Sequence, residues 1–191
     1  MEKKLHKDYQ ELSQAHPQQK VRLWSMDEHR IGLKPIHRRA WFPWWVVPTA
    51  KFKWCFEWLW VYGFVEPNKG ETDWWLLPRV NHESFSKVLE AFARSNGVDR
   101  EHPAILVLDQ ARWHTTPKLE IPEGLSLKFL PPYSPELQPA ERLWPLLDEA
   151  IINEYFEELE VLEEVIAKRC CQLSEQTEIV RGFTQFHWWP T

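Results

Sequence analysis

The chain is poor in cysteine and glycine and has no long apolar run, and each shortage excludes a class of protein. Its three cysteines, Cys55 and the adjacent Cys170 and Cys171, lack the number and spacing of a disulfide framework or a zinc site. Six glycines exclude a fibrous repeat. No segment approaches the roughly 18 uninterrupted apolar residues of a membrane span, and the first residues lack the apolar core of an export signal. We therefore expect a cytoplasmic protein without membrane contact.

The composition that is present suits one folded domain. The chain has 191 residues, of which 43% are hydrophobic and 27% are charged. A chain of this size can bury one substantial core. Residues 1–20 are polar and rich in glutamine, and we predict a lead-in with a short helix before Pro17. Residues 21–191 are predicted to form a single domain.

Charge is distributed unevenly along the chain. The net charge is −5, which argues against a protein coated with basic residues, yet residues 1–70 carry 12 Lys and Arg against 7 Asp and Glu. The segment from Arg30 to Lys53 has no acidic residue, and its aromatic residues include Trp41, Trp44 and Phe52. Basic and aromatic residues together suit a phosphate backbone. A solvated sheet face over a tryptophan-rich core explains the same pattern equally well.

The first third of the chain has the pattern of a β-meander. Residues 21–26 alternate in polarity and predict a strand that ends at Asp27, and residues 38–42 are a candidate second strand. Residues 55–65 are aromatic and β-branched and give the strongest strand signal. The turn residues Pro67, Asn68 and Gly70 predict a hairpin that leads into a strand over residues 73–77.

Helical spacing follows the meander. Asn81 can cap a helix whose apolar residues recur every three to four positions, and Gly97 suits its left-handed end. The apolar run 104–108 is typical of a strand buried on both faces, and residues 126–130 predict another strand. Two helices should follow, from about Pro139 and over about 159–173. We predict an α/β fold with a five-stranded mixed sheet and helices on both faces.

Three carboxylates occupy positions where such a sheet would bring them together. Asp27 and Asp109 each follow a predicted strand, and side chains at the carboxyl ends of neighbouring strands converge on one crevice. Glu141, near the start of the helix after Pro139, could complete the group. The order Asp, Asp, Glu on the first strand, the middle strand and a late helix is that of an RNase H-like fold, which we therefore predict. Carboxylates so close repel unless a cation joins them, and hard oxygen ligands suit Mg²⁺ or Mn²⁺. Spacing alone leaves Glu28 and Glu136 open as alternatives to Asp27 and Glu141.

Two such ions can promote in-line displacement at a phosphodiester, which makes nucleic-acid cleavage the expected chemistry. His114 follows Asp109 by five residues. A lone histidine is more often a structural hydrogen-bonding residue than a functional one, and both roles stay open at this point.

Three segments together resemble the DDE transposases of bacterial insertion sequences in the mariner-related superfamily. They are LWSMDEHRIGL (23–33), LVLDQARWHTT (106–116) and FLPPYSPELQPAERLW (129–144), the last with an intact PYSPxLxPxE core. The resemblance covers about residues 21–145. It implies that Asp27, Asp109 and Glu141 are catalytic and bind two Mg²⁺ ions, with Mn²⁺ as a substitute. It also implies cleavage at transposon ends followed by strand transfer into target DNA.

The basic segment Arg30 to Lys53 and the loop after Asp109 suggest which residues hold DNA, and the resemblance suggests the partners. We expect contacts to double-stranded DNA, at transposon ends and target, from six residues: Arg30, Lys34, Arg38, Arg39, Arg112 and His114. Family members usually carry a helix-turn-helix domain, and we expect that function in a separate or upstream domain, with a homodimer as a further possibility. The location would be the bacterial cytoplasm, at the nucleoid when DNA is bound. A structure-selective nuclease and an inactive DNA- or partner-binding remnant are the alternatives.

Overall fold

The computed structural model describes residues 2–19, 21–49, 51 and 55–190. Within these ranges the strands are β1 (Arg22–Gly32), β2 (Trp58–Glu66), β3 (Glu71–Leu77), β4 (Ala104–Leu108) and β5 (Leu125–Phe129). The α-helices are α1 (Glu2–Ala15), α2 (His82–Ser95), α3 (Arg112–Thr115), α4 (Leu143–Asp148), α5 (Leu159–Glu175) and α6 (Thr177–Thr184). None of the helices in these ranges is long and apolar enough to cross a bilayer.

The strands form one mixed sheet in the order β3-β2-β1-β4-β5. The β1-β2-β3 meander is antiparallel, whereas β4 lies parallel to both β1 and β5. All five residues of β4 are buried, as expected for a central strand covered on both faces. The predicted five-stranded mixed sheet is therefore confirmed.

Helices cover both faces of the sheet. Even-numbered residues of β1, such as Trp24 and Met26, pack with α2, and we call this side the α2 face. Odd-numbered residues lie on the opposite side, the α4 face, where Ile31 packs with α4 and α5. Because successive side chains of a strand point to opposite faces, Asp27 belongs to the α4 face and Glu28 to the α2 face.

The first helix, α1, occupies 14 residues of the predicted lead-in and packs against the sheet. Leu5 on α1 is 2% exposed and packs with Val21, Ile105 and the carboxyl-terminal Trp189. An apolar contact thus joins α1 to the α4 face of the sheet. The last helix, α6, is an element that the sequence did not predict.

The predicted strand over residues 38–42 is absent, and residues 35–49 contain no strand. Prolines at positions 35, 43 and 48 cannot donate backbone hydrogen bonds, and β1 and β2 already pair directly with each other. The segment instead runs over the surface, with Trp41 and Trp44 almost fully exposed. Phe52 and Lys53, part of the predicted basic and aromatic segment, lie outside the described residues.

Candidate active site

Strand register brings Asp27 and Asp109 to the same level of the sheet. The parallel pairing of β1 with β4 ends with Ser25 opposite Val107, so each aspartate stands two residues beyond the same pair. Neighbouring strands are about 4.8 Å apart. Asp27 does not end its strand as predicted, because β1 continues in antiparallel pairing with β2, where Asp27 is opposite Gly63. It is β4 that stops, and this opens the crevice beside Asp27.

Glu141 reaches the same place from a 3₁₀ helix, Pro139–Arg142, that is fastened to β1. The backbone N–H of Ala140 donates to Ser25 Oγ at 3.3 Å, and Gln138 Nε2 donates to the carbonyl oxygen of Met26. Both contacts are buried. They hold the start of the segment against β1, just before Asp27.

The three carboxylates line one cleft of about 390 Å³, whose wall includes Gln110, Gln138 and the loop 130–135. The Asp27 and Glu141 side chains are close enough to share a hydrogen bond. Among the described residues, no group of three or more His, Cys, Asp or Glu side chains is already gathered tightly enough to hold an ion. The cleft therefore brings the acids together without closing them into a finished cage.

Electrostatics within the cleft favour a cation. Burial and the nearby Glu141 carboxylate raise the pKa of Asp27 from 3.8 to about 8, against the opposing hydrogen bond from Trp144. Burial, together with the charge of Asp109, also raises the pKa of Glu141. A proton or a metal ion would relieve this repulsion. Carboxylate oxygens are the donors that Mg²⁺ and Mn²⁺ prefer, so the residues present fit such an ion.

An indole and an imidazole border Asp27 on the α4 face. Trp144 Nε1 donates to Asp27 Oδ2 at 2.8 Å, and the Trp144 ring stacks on His29 with centroids 4.9 Å apart. His29 Nε2 lies 3.1 Å from Asp148 Oδ1. Gly63 makes room for this arrangement, since a Cβ there would stand 2.8 Å from the Trp144 ring.

Asp109 has a different environment from Asp27. Burial acts to raise its pKa, but hydrogen bonds from His114 and the Ala111 N–H outweigh burial and lower it. His114 in turn lies between Asp109 and Glu28, and these hydrogen bonds raise its pKa to about 9 although burial acts to lower it. Asp109 is therefore kept ionised while Asp27 tends to hold a proton.

The two alternative acids lie elsewhere. Glu28 is on the α2 face, where it accepts hydrogen bonds from Trp113 and His114. Glu136 is exposed in the loop before Gln138 and does not line the cleft. The carboxylates that face the cleft are those at positions 27, 109 and 141.

The residues predicted to contact DNA do not form one patch. Arg30 lies on the α2 face with its guanidinium over the Trp58 and Trp60 rings, and it shares a groove with Lys34. Arg38 and Arg39 line a separate groove of about 1030 Å³.

Individual neighbours further divide this set. Arg38 pairs with Glu149, and its backbone N–H donates to Asn153. Arg112 is exposed at the start of α3 and follows Ala111, which lines the cleft. His114 has to be removed from the predicted DNA contacts, because its side chain is 0% exposed and both ring nitrogens face carboxylates.

Three residues of the site escaped the sequence analysis. Trp144 and Gln138 both stand inside the FLPPYSPELQPAERLW segment, but only the fold shows that one bonds Asp27 and the other bonds β1. Tyr133 in the same segment is fully exposed at the cleft and has a positive φ of 56°. A tyrosine in this left-handed conformation is uncommon and marks a constrained loop.

Sheet order and cleft define an RNase H-like domain with acids at the edge of its parallel strands. A family model described as DDE superfamily endonuclease matches residues 22–163, and the chain belongs to this family. A curated relative, the uncharacterized protein y4pE/y4sA of Sinorhizobium fredii (strain NBRC 101917 / NGR234), is 39% identical over 115 residues, which are 60% of this chain and 81% of the relative.

Solved structures of the Mos1 transposase share the fold. The Mos1 strand transfer complex matches with a TM-score of 0.55 and 15% identity over 97% of this chain and 63% of the Mos1 chain. The Mos1 mariner paired-end complex with Mn matches with a TM-score of 0.56 and 16% identity over 95% and 61%. The chain thus spans less than two thirds of the Mos1 length. The predicted RNase H-like fold and DDE family are confirmed.

Proposed function

We propose that this chain is the catalytic domain of a transposase that cuts DNA at transposon ends and joins the cut ends to target DNA. The observation that carries the proposal is the convergence of Asp27, Asp109 and Glu141 on one cleft, with the first and last in contact. Mos1, which shares the fold, forms a paired-end complex with its left transposon end and complexes with Mn and with Mg. These relatives support DNA as the substrate and a divalent cation as the cofactor.

Each carboxylate would have a defined part in the reaction. Asp109, kept ionised by His114 and the Ala111 N–H, would be the permanent anionic ligand. Asp27 and Glu141 would lose their shared proton when the cation binds. Two Mg²⁺ ions, or Mn²⁺ in their place, would when bound activate the attacking oxygen and stabilise the leaving oxygen.

The cleft is acidic, so basic residues outside it would hold the DNA backbone. Arg112 is exposed three residues after Asp109, and Arg38 and Arg39 line the large groove with Lys51. Arginine suits this task because its planar group binds phosphate through two hydrogen bonds. Arg30 and Lys34 lie in a different groove and would serve a second stretch of DNA.

The protein would act in the bacterial cytoplasm, at the nucleoid. Recognition of the transposon end would come from a separate or upstream helix-turn-helix domain, as the family resemblance implies. We also propose a homodimer, because two ends must be joined in one transposition event. The size of the complex on end DNA, measured by light scattering, tests the dimer.

The decisive experiment uses a duplex that carries the terminal sequence of the genetic element encoding the chain. We expect nicking of this duplex in Mg²⁺ and none in EDTA, followed by joining of the 3′ end to a second duplex. Asp109→Asn should remove both products, whereas Asp99→Asn, a change in an exposed loop, should keep them.

The products distinguish the alternatives. Nicking without joining would indicate a structure-selective nuclease instead of a transposase. If the chain binds the duplex but neither nicks nor joins it in Mg²⁺ or Mn²⁺, it is an inactive remnant, and the proposed function is contradicted.

A further inference from the structure

A series of buried hydrogen bonds connects Glu28 on β1, through His114, with Asp109 beyond the end of β4. We call these three residues the polar relay. His114 Nδ1 lies 2.7 Å from Asp109 Oδ1, and His114 Nε2 lies 2.8 Å from Glu28 Oε1. Both partners are carboxylates, which only accept hydrogen bonds. Each ring nitrogen therefore donates, and the imidazole is held at two points that are far apart in the sequence.

Burying these charged groups is unfavourable for the stability of the fold. The His114 side chain is 0% exposed and that of Glu28 is 4% exposed. The Phe85 ring packs against the imidazole, with the two ring centroids 4.5 Å apart, and Trp113 Nε1 donates to Glu28 Oε1 at 3.0 Å. Buried ion pairs often stabilise a protein no more than apolar residues of the same volume would. Stability alone is thus a weak reason for placing a charged pair here.

The hydrogen bond from His114 determines the orientation of the Asp109 carboxylate. This residue stands just beyond the end of β4, where the ladder to β1 no longer fixes the backbone. The hydrogen bonds from His114 Nδ1 and the Ala111 N–H both end on Oδ1. The carboxylate is therefore held through Oδ1, and neither of these two hydrogen bonds involves Oδ2. The Asp109 side chain is 54% exposed and lines the cleft.

We propose that Glu28 and His114 are a positioning pair for Asp109: Glu28 fixes the imidazole, and the imidazole fixes the carboxylate so that Oδ2 is presented to the cation. Neither residue touches DNA or metal. This inference rests on the proposed function, since it assumes that Asp109 is a cation ligand. Groups that orient metal ligands typically change metal affinity by about 10- to 100-fold when they are lost.

The test is Mn²⁺ binding to the whole chain without DNA, measured from the electron paramagnetic resonance signal of free Mn²⁺. His114→Asn should weaken the affinity by about 10-fold or more. Glu28→Gln, which keeps the acceptor but not the charge, should weaken it less. His102→Asn is the matched control, because His102 pairs with Asp99 at an exposed site.

A readout at saturating Mn²⁺ separates positioning from folding. The melting temperature without metal reports folding, and the nicking rate at saturating Mn²⁺ should recover towards wild type in Glu28→Gln. If His114→Asn does not fold, Glu28→Gln decides alone.

Wild-type Mn²⁺ affinity in the folded variants would overturn the inference, provided that Asp109→Asn has lost binding. Wild-type affinity in Asp109→Asn itself would overturn the proposed metal site, and the positioning role with it. The two failures are therefore distinguishable.

Discussion

Replacing Asp27 by Asn should stabilise the metal-free protein, and the gain should depend on pH. The folded-state pKa of Asp27, about 8, lies above its ordinary value of 3.8 because of burial and the neighbouring Glu141. A group of this kind contributes stability that is fully present below about pH 4 and lost as the pH rises through about 8. The wild-type chain in EDTA should therefore become less stable across this window.

The size of the effect follows from the same values. Each pH unit between the two pKa values, 3.8 and about 8, corresponds to about 1.4 kcal/mol, so the whole interval sets an upper limit of about 6 kcal/mol. Glu141 shares the proton with Asp27 and relieves part of the repulsion. We expect Asp27→Asn to raise the free energy of unfolding by about 3 kcal/mol near pH 9 and by little near pH 4. The Asn oxygen can still accept from Trp144.

Urea unfolding in EDTA at about pH 4, 7 and 9 measures this difference. Asp8→Asn is the matched control, because Asp8 pairs with Lys128 away from the cleft, at 2.8 Å. Asp8→Asn should change the free energy of unfolding only slightly between about pH 7 and pH 9. If Asp27→Asn and the wild type lose stability in parallel from pH 4 to pH 9, the acids do not repel one another and the electrostatic reasoning is refuted.

Three further outcomes are expected. Gly63→Ala should lower the free energy of unfolding, measured in urea, by about 1–3 kcal/mol and weaken Mn²⁺ binding, because the added Cβ meets the Trp144 ring at 2.8 Å. Gly182→Ala should do neither, because the space around Gly182 is open. Arg38→Ala with Arg39→Ala should weaken binding to all duplexes alike and reduce the slope of log affinity against log salt by about one per lost contact; an unchanged slope would exclude these arginines. The melting temperature should be the same with and without reductant, since none of the three cysteines is in a disulfide, and a fall in reductant would reveal one.

Local signals in the sequence were sufficient for much of the fold. Asn81 caps α2 by accepting from the Ser84 N–H at 2.7 Å, and Gly97 has a φ of +63°, as its place after the helix predicts. The apolar run of β4 and the aromatic run of β2 also correspond to their predicted strands. These features depend on neighbours within a few residues, and a single sequence displays them directly.

The errors come from contacts between distant residues. Asp27 and Glu28 are a natural end for a strand by polarity, yet pairing with β2 extends β1 through them to Gly32. The same holds for α1: Leu5 and Leu12 repeat at helical spacing, but only the sheet gives their apolar side a partner. Polarity records what a residue prefers, whereas strand length depends on which partner is available.

The candidate site divides in the same way. Its acids follow from strand ends and from the family resemblance, and the structure brings them to one cleft. The sequence did not decide between a structural and a functional role for His114, because its two partners, Asp109 and Glu28, are 5 and 86 residues away. Spacing of five residues hints at the first contact. The second depends on how β1 and α3 pack and leaves no local trace.

Anomalous diffraction from crystals soaked in Mn²⁺ tests the central claim most directly. We expect Mn²⁺ in the cleft, about 2.0–2.6 Å from carboxylate oxygens of Asp27, Asp109 and Glu141, with Asp109 binding through Oδ2. Mn²⁺ bound at Glu28, or a cleft without Mn²⁺ at saturating concentration, would contradict the assignment of these three acids.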